Sequence, residues 1–223
     1  FQIVLYGLLL ARAIYSFHQD CCWGLHVFLL CMLRLLMHQL WSAYSNTLFL
    51  THNRLILKKG VGFRQIDQEL HWDNFILLQA IVTSVVLHAF PPAETVPTWE
   101  KNGVLSALVL HAALSEPLFY AIHKRFHGNQ LFTNYHFLHH SSPVPQPFTA
   151  GHASFLEQLG LTVVMGIPLA VSFLIGGGSI GLLYCYVLGF DSLRCLGHSN
   201  VEIVPHRLFE AFPFMRYILY TPT

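Results

Sequence analysis

Hydrophobic and polar positions alternate along this chain as long apolar runs separated by short polar connections. Apolar runs long enough to be candidate membrane spans occur at roughly 2–17, 24–41, 75–90, 103–122, 156–175 and 179–190. Some are shorter than the ~20 residues of a perpendicular span, so one of them is a candidate for a re-entrant segment. The connections "PPAETVP" and "SSPVPQP" cannot continue a helix. The pattern predicts an all-α, polytopic membrane bundle with about four to six spans.

The basic residues outside the apolar runs predict how the connections divide between the two sides of the membrane. The most charged connection, within 42–74, is assigned to the cytoplasmic side because it carries four Lys and Arg residues. The order of the runs then places the segments after 122 and after 190 on the same side. Of the basic residues outside the runs, only Lys101 falls on the far side. This topology predicts that the histidines within 123–140 and His198 lie on the cytoplasmic face.

Composition narrows the class of protein further. The 223 residues are 54% hydrophobic and only 10% charged, which is too little charge to cover the surface of a soluble domain of this size. A formal net charge of +1 gives no reason to expect nucleic acid as a partner. The five cysteines are scattered without a CxxC pair, which argues against a disulfide framework and a cysteine zinc site. The chain opens inside an apolar run, so we expect a fragment and interpret no signal peptide.

Histidine is the chemically informative residue, since nearly half of the fifteen histidines lie in one short region. His123 and His127 stand at i and i+4, which share one face of a helix. His136, His139 and His140 stand at i, i+3 and i+4, so they converge if their segment is helical. Burying several unpaired imidazoles near lipid is costly, and a metal bound by neutral ring nitrogens removes that cost. The two boxes together predict a metal site.

The number of histidines and the residue types near them constrain the kind of metal. The absence of cysteine ligands disfavours a closed structural zinc site, and the absence of HExxH disfavours a zincin-type peptidase. Imidazole suits zinc, copper, iron and nickel. Five or more histidines exceed the needs of one four-coordinate zinc, so a pair of metals, with iron as the most plausible and zinc as the alternative, fits the number better. Haem is the other option, but a bis-histidine haem takes its ligands from separate spans rather than from a tight cluster.

Three further residues are candidates for supporting or additional roles at this site. Glu116 lies inside an apolar run, where a carboxylate needs a buried partner; that partner is either a ligand histidine or a group on another helix. His111 is a candidate either for lining the same cavity or for bonding a neighbouring carbonyl. His152 is retained as an additional candidate.

Longer stretches of the chain resemble a known family. They are "GFRQIDQELHWD", "SEPLFYAIHKRFH", "YHFLHHSSPVPQPFTAG", "GHSNVEIVP" and "YILYTPT". These stretches resemble the plant Eceriferum/Glossy proteins of cuticular wax synthesis, the very-long-chain aldehyde decarbonylases within the fatty acid hydroxylase and sterol desaturase superfamily. The resemblance covers nearly all of 1–223. It implies one hydroxylase-like membrane domain, and we expect the family's final HxxHH box and soluble C-terminal domain to lie outside this fragment.

The resemblance also implies an activity and a ligand set. Members of the family are enzymes of the endoplasmic reticulum membrane that turn very-long-chain aldehydes into alkanes one carbon shorter. They use O2 and electrons that pass from NADPH through cytochrome b5, with the metal site facing the cytoplasm and with other wax-synthesis proteins as oligomeric partners. Carried over residue by residue, the ligands of two iron ions are His123, His127, His136, His139, His140 and His198.

Alternatives to this activity remain open at the level of sequence. Gln158 stands where the alkane-forming branch carries a second histidine, and "SSPVPQPFTAG" is closer to the sister branch. This favours a partner subunit that supplies aldehyde from very-long-chain acyl precursors within an alkane-forming complex. A fatty acid or sterol hydroxylase is a further alternative, and so is a di-zinc lipid hydrolase.

Overall fold

Four of the predicted spans are helices in the structure of this protein, a computed structural model. The structure describes residues 7–8, 11–12, 15, 23–47, 54–70, 76–81, 83 and 96–217. Within these residues, four helices are long and apolar enough to cross a membrane: His26–Ser45, Lys101–Phe126, Phe155–Leu174 and Ile180–Gly197. The predicted spans at 2–17 and 75–90 lie largely outside the described residues. The prediction of an all-α membrane bundle is confirmed.

The described elements are helical throughout, with one isolated β-bridge between Leu55 and Val201. In chain order the α-helices are α1 (Trp23–Ser45), α2 (Phe63–Glu69), α3 (Lys101–Leu110), α4 (Glu116–Phe126), α5 (Asn129–Leu131), α6 (Phe155–Leu174), α7 (Ile180–Gly197) and α8 (His206–Ala211). Shorter turns connect them. These are π-helical at His111–Ser115 and Phe132–His136, and 3₁₀-helical at His139–Ser141, Pro147–Gly151 and Pro213–Tyr217.

Helices α3 and α4 form one continuous rod joined by a π-helical turn. Pro117, at the start of α4, has no backbone N–H and would interrupt an ordinary α-helix. The π turn at His111–Ser115 replaces the regular ladder there, and Glu116 N–H donates to the carbonyl of His111. Leu105, Leu108 and Val109 are exposed along this rod. An apolar surface of this kind suits contact with lipid chains.

The hairpin between α6 and α7 closes at a run of glycines. Gly176 adopts φ +81°, a conformation that glycine adopts without steric cost. The next residue, Gly177, donates its N–H to the carbonyl of Ser172 at 2.8 Å, which ends α6. A Cβ atom on Gly103 of α3 would lie 1.7 Å from the carbonyl oxygen of Gly177. Only glycine therefore allows α3 to approach the hairpin this closely.

Helices α1 and α7 are joined by a buried ion pair. Arg34 Nε lies 2.5 Å from Asp191 Oδ2, and Arg34 Nη2 lies 3.2 Å from Asp191 Oδ1. His38 Nε2 lies 3.7 Å from the same carboxylate, and Asp191 is 1% exposed. An isolated charge at this depth would be very costly, so the two-point contact fixes α1 against one face of α7.

The connections between helices fall into two groups at opposite ends of the bundle. Asn200, just after α7, donates from Nδ2 to the carbonyl of Leu57 at 2.8 Å, so 54–57 lies beside 200–202. At the start of α7, Gly181 N–H donates to the carbonyl of Thr98 at 2.9 Å. The histidine segments at 123–140 lie at the first end. This is the grouping that the charge pattern predicts, while the cytoplasmic assignment of that end stays a prediction.

Replacement of Gly103 by alanine is expected to destabilise the bundle by about 1–3 kcal/mol, because the new methyl group overlaps the backbone at Gly177. Gly166 of α6 is the matched control, since a Cβ atom there meets nothing within 4 Å. Denaturant unfolding of the two variants in detergent measures the difference. Equal stability of Gly103→Ala and Gly166→Ala would contradict the close approach.

Candidate metal centre

Four predicted ligands form one cluster, here named the four-histidine group: His123, His127, His136 and His140. One ring nitrogen from each lies within 4.8 Å of the others. Nε2 of His127 lies 3.1 Å from Nε2 of His123 and 3.3 Å from Nε2 of His136. His140 Nε2 lies 2.9 Å from His136 Nε2. Nitrogens that share one ion at about 2.1 Å lie roughly 3 to 4 Å apart, so the group has the dimensions of a single metal site.

Local backbone geometry creates this group. His123 lies in the last turn of α4 and His127 is its C-terminal cap, so the pair shares a face at i and i+4. The chain reverses at Gly128, whose N–H donates to the carbonyl of Arg125 at 2.9 Å. The π turn Phe132–His136 then returns His136 to the end of α4. The buried ring of His136, with 0% exposure, is the centre around which the other three lie.

The remaining two predicted ligands, His139 and His198, form a second group, here named the histidine pair. Their Nε2 atoms lie 3.3 Å apart. His139 begins the 3₁₀ turn at His139–Ser141, and His198 caps the C-terminal end of α7. The ring of His139 lies 5.6 Å from that of His136 and 5.5 Å from that of His140, but its Nε2 faces His198, so the convergence of all three rings on one ion stays a prediction. The change from a π turn to a 3₁₀ turn within this box directs His139 towards α7.

Backbone carbonyls fix the tautomers of the histidine pair. His139 Nδ1 lies 3.3 Å from the carbonyl oxygen of His152, and His198 Nδ1 lies 2.9 Å from that of Arg194. A carbonyl oxygen only accepts hydrogen bonds, so both Nδ1 atoms carry the proton. The two Nε2 atoms of the neutral rings then face each other with lone pairs at 3.3 Å. Lone pairs at this distance repel unless a cation lies between them.

A proton is a poor candidate for that cation. Burial, followed by the neighbouring charge of His198, lowers the pKa of His139 to about 2. Burial, followed by the charge of Arg194, lowers the pKa of His198 to about 4. Burial also lowers the pKa of His136 to about 4, with the neighbouring histidines as the next cause. Rings that stay neutral at neutral pH bind metal ions through their free nitrogen, so the donor set fits a metal at both groups.

Glu157 holds the four-histidine group in place and was not recognised from the sequence. Its Oε1 lies 2.9 Å from His136 Nδ1, which orients the ring and leaves Nε2 free for the cluster. Ser154 and Glu157 have the spacing Ser-x-x-Glu, which is typical of a helix N-terminal capping box. Ser154 does cap α6, by accepting from the Glu157 N–H at 3.4 Å, but the carboxylate turns to His136 instead.

The three supporting candidates have different roles in the structure. Glu116 Oε1 lies 3.0 Å from His111 Nε2, and His111 Nδ1 lies 3.0 Å from the hydroxyl of Tyr186. Glu116 and His111 thus pair with each other along the α3–α4 rod and link it to α7. His152 contributes its backbone carbonyl, which accepts from His139, while its Nε2 lies 3.4 Å from Ser141 Oγ.

A cavity of about 480 Å³ adjoins both groups. Four histidines line it, two from each group: His123, His140, His139 and His198. The rest of its wall is mainly apolar and comes from α4, α6 and α7, with Phe119, Leu161 and Met165 among the lining residues. The volume lies within the range of ligand sites in proteins. The arrangement can therefore hold an apolar molecule beside two candidate metal sites.

Comparison with known proteins decides the family. The family model described as fatty acid hydroxylase matches residues 108–223, which include all six predicted ligands. The chain belongs to the fatty acid hydroxylase family. The resemblance inferred from the motifs is confirmed, while the role of each histidine as a ligand stays a prediction. No solved structure matches the chain.

Several plant proteins are similar to this chain. The very-long-chain aldehyde decarbonylase GL1-1 of Oryza sativa subsp. indica is 49% identical over 201 residues, which cover 90% of this chain and 32% of that protein. The very-long-chain aldehyde decarbonylase GL1-2 of Oryza sativa subsp. japonica is 42% identical over 100% of this chain and 37% of its own length. The very-long-chain aldehyde decarbonylase CER1 of Arabidopsis thaliana is 34% identical over 88% of this chain and 32% of its own length. The chain spans about a third of the length of these relatives.

Replacement of Glu157 by leucine is expected to weaken metal binding about 10- to 100-fold, because His136 loses the acceptor that orients its ring. Competition with a graded chelator on the purified full-length protein measures this affinity. Glu210→Leu on α8 is the control, since Glu210 is exposed and belongs to neither group. If both variants hold metal as tightly as the wild type, Glu157 has no part in the centre.

Proposed function

We propose that this chain is the metal-binding membrane domain of an enzyme that converts very-long-chain aldehydes into alkanes one carbon shorter. The observation that carries the proposal is the pair of facing Nε2 atoms of His139 and His198, 3.3 Å apart beside the four-histidine group. This pair calls for a cation, and the adjacent cavity offers an apolar site for a hydrocarbon chain. The names of the relatives supply the substrate class.

The proposed cofactor is a pair of iron ions, with zinc as the alternative. The four-histidine group would hold one ion, and the histidine pair would contribute ligands to the other. Both sets consist of neutral imidazole, which suits iron as well as zinc, and their number exceeds the needs of one four-coordinate ion. When bound, the iron pair supplies the redox chemistry by which O2 is reduced with electrons that originate from NADPH.

The residues of the chain orient the candidate ligands and hold the substrate. Acceptors at Nδ1, namely Glu157 and the carbonyls of His152 and Arg194, keep three ligand rings in fixed orientations. The apolar wall of the cavity holds the hydrocarbon chain and keeps water from the reacting end. In the overall reaction, the bond between the carbonyl carbon and the chain would break, and the carbonyl carbon would leave as formic acid with one oxygen atom of O2. The other oxygen atom would leave as water, the chain end would gain a hydrogen, and four electrons and four protons would be consumed.

The proposed setting is the endoplasmic reticulum membrane with the centre facing the cytoplasm. The connections at 54–70 and 198–217 lie at the histidine end and carry most of the basic residues outside the described spans, which supports this orientation. A cytochrome b5-type donor would then reach the centre from the cytoplasm. We include in the proposal assembly with further copies or with other wax-synthesis proteins.

A second candidate function is that of a partner subunit that supplies aldehyde from very-long-chain acyl precursors. Gln158 favours it, because a carboxamide stands at a buried position where the resemblance implies a histidine in the alkane-forming branch. The two functions differ in the product made by the protein on its own, which is alkane for the first and aldehyde for the second.

Replacement of His139 or of His140 by alanine is expected to abolish alkane formation, because each substitution removes a nitrogen from a different group. The measurement is gas chromatography of lipids from yeast that express the full-length protein together with very-long-chain acyl supply. His206→Ala is the control, since His206 is exposed at the start of α8. Unchanged alkane and aldehyde in both variants would refute the catalytic assignment, and aldehyde alone in the wild type would favour the partner subunit.

Metal analysis of the purified full-length protein is expected to show about two iron ions per chain, as the two donor groups imply. His198→Ala is expected to lose about half of that metal, because it breaks the histidine pair and leaves the four-histidine group intact. Elemental analysis distinguishes iron from zinc. A wild-type protein without bound transition metal would disprove the proposed centre.

A further inference from the structure

Three polar residues that are not candidate ligands line the cavity: Glu157, which contacts His136, and Arg194 and Gln158. Arg194 of α7 and Gln158 of α6 line the cavity together with its apolar side chains. Arg194 is partly accessible, and Gln158 is 3% exposed. Polar groups in a mainly apolar cavity fix the orientation of a ligand and supply its specificity. Their position beside His139 and His198 makes them candidates for contact with the reacting end of a substrate.

Arg194 has hydrogen-bond donors to spare. Its Nη2 donates to the carbonyl oxygen of Ala150 at 2.6 Å, whereas a guanidinium carries five N–H donors. Arg34, which is buried, differs, since it forms a two-point contact with Asp191. In the described part of the chain no carboxylate forms an ion pair with Arg194. Asp191 and Glu157 act on Arg194 only through space, and a partly buried guanidinium without a carboxylate ion pair is suited to bind an oxygen acceptor that enters the cavity.

Gln158 adds an acceptor next to this donor. Its Nε2 lies 3.5 Å from the carbonyl of Ala150, the same oxygen that Arg194 contacts. Its Oε1 is buried and has no hydrogen-bond partner. An unpartnered buried oxygen is costly, and a hydroxyl group of a ligand would remove that cost. The carbonyl of Ala150 therefore brings the free N–H groups of Arg194 and the free Oε1 of Gln158 together on one side of the cavity.

We propose that Arg194 and Gln158 bind the oxygenated end of a long hydrocarbon chain and set that end beside His139 and His198. Arg194 donates to the oxygen of an aldehyde, alcohol or carboxylate. Gln158 Oε1 accepts from a hydroxyl, which an alcohol or a hydrated aldehyde carries and an aldehyde lacks. The hydrocarbon chain lies along the apolar wall that Phe119, Leu161 and Met165 help to form.

The same turn of α7 couples this head-group site to the centre. The Arg194 side chain faces the cavity, while its carbonyl accepts from His198 Nδ1 at 2.9 Å. The inference rests on the proposed function for its substrate class. Its contacts involve no metal, so binding of the head group is independent of metal loading.

The test compares two photoreactive, alkyne-tagged probes on the full-length protein in lipid nanodiscs. One is an analogue of hexacosanoic acid and the other is the matching analogue of hexacosane, which lacks the oxygenated end. The concentration for half-maximal labelling gives the preference for the head group. Hexacosanal and hexacosanol, used as competitors, distinguish the aldehyde from the alcohol. We expect the wild type to prefer the acid over the alkane about 10- to 100-fold, as hydrogen bonds to a charged group imply.

Arg194→Met is expected to lose this preference, because the variant keeps an unbranched apolar stem and removes all the N–H donors of the guanidinium. Arg194→Lys is expected to keep part of the preference, since lysine retains the positive charge but lacks the planar set of N–H donors of a guanidinium. Arg207→Lys is the matched control, because Arg207 is exposed on α8, does not line the cavity and should leave the preference unchanged. Gln158→Leu is expected to weaken competition by hexacosanol more than competition by hexacosanal, since only the alcohol donates to Oε1.

An unchanged preference in folded Arg194→Met would overturn the inference. If that variant does not fold, equal preferences in Arg194→Lys and Arg207→Lys would overturn it as well. Repetition on chelator-treated protein separates the two proposals. If the wild-type protein binds no metal but still prefers the acid probe over the alkane probe, the head-group site is supported and the proposed metal function fails. A wild type that holds metal but labels equally with both probes refutes the head-group site alone.

Discussion

The fixed orientation of the histidine rings is the constraint on which the site depends. Three rings donate from Nδ1 to oxygen acceptors, which are Glu157 and the carbonyls of His152 and Arg194. Each of these contacts leaves a lone pair on Nε2 and directs it inward. Without them, neutral imidazoles could form hydrogen bonds among themselves, and the need for a cation would disappear.

The acceptors come from three separate parts of the chain, so the bundle must bring those parts together. Glu157 stands in the first turn of α6, and Arg194 in the last turn of α7. The hairpin at Gly176 and Gly177 makes these turns neighbours, because it aligns the beginning of α6 with the end of α7. The ion pair between Arg34 and Asp191 then fixes α1 against α7 one turn below Arg194. The glycine hairpin, which lies at the far end of the bundle, thereby sets the geometry of the site.

Much of the fold could be predicted from the sequence because membrane helices depend on local composition. Four runs of apolar residues correspond to four helices, since each segment has to satisfy its own backbone hydrogen bonds in lipid. Sequence spacing also paired His123 with His127 correctly on one helical face. The same reasoning did not predict the contact of His139 with His198, because a π turn followed by a 3₁₀ turn does not keep the periodicity of an α-helix.

Sequence by itself determined the class of protein, the positions of the described spans and the identity of the clustered histidines, since these depend on composition and short-range spacing. Only the tertiary structure decided how the histidines divide into a group of four and a pair. It also revealed Glu157 as a partner of His136, although its spacing from Ser154 indicated a helix cap. Arg194 and Gln158 likewise became neighbours through the carbonyl of Ala150. The physical reason is that ring orientation and shared carbonyls depend on contacts between distant segments, which no local pattern encodes.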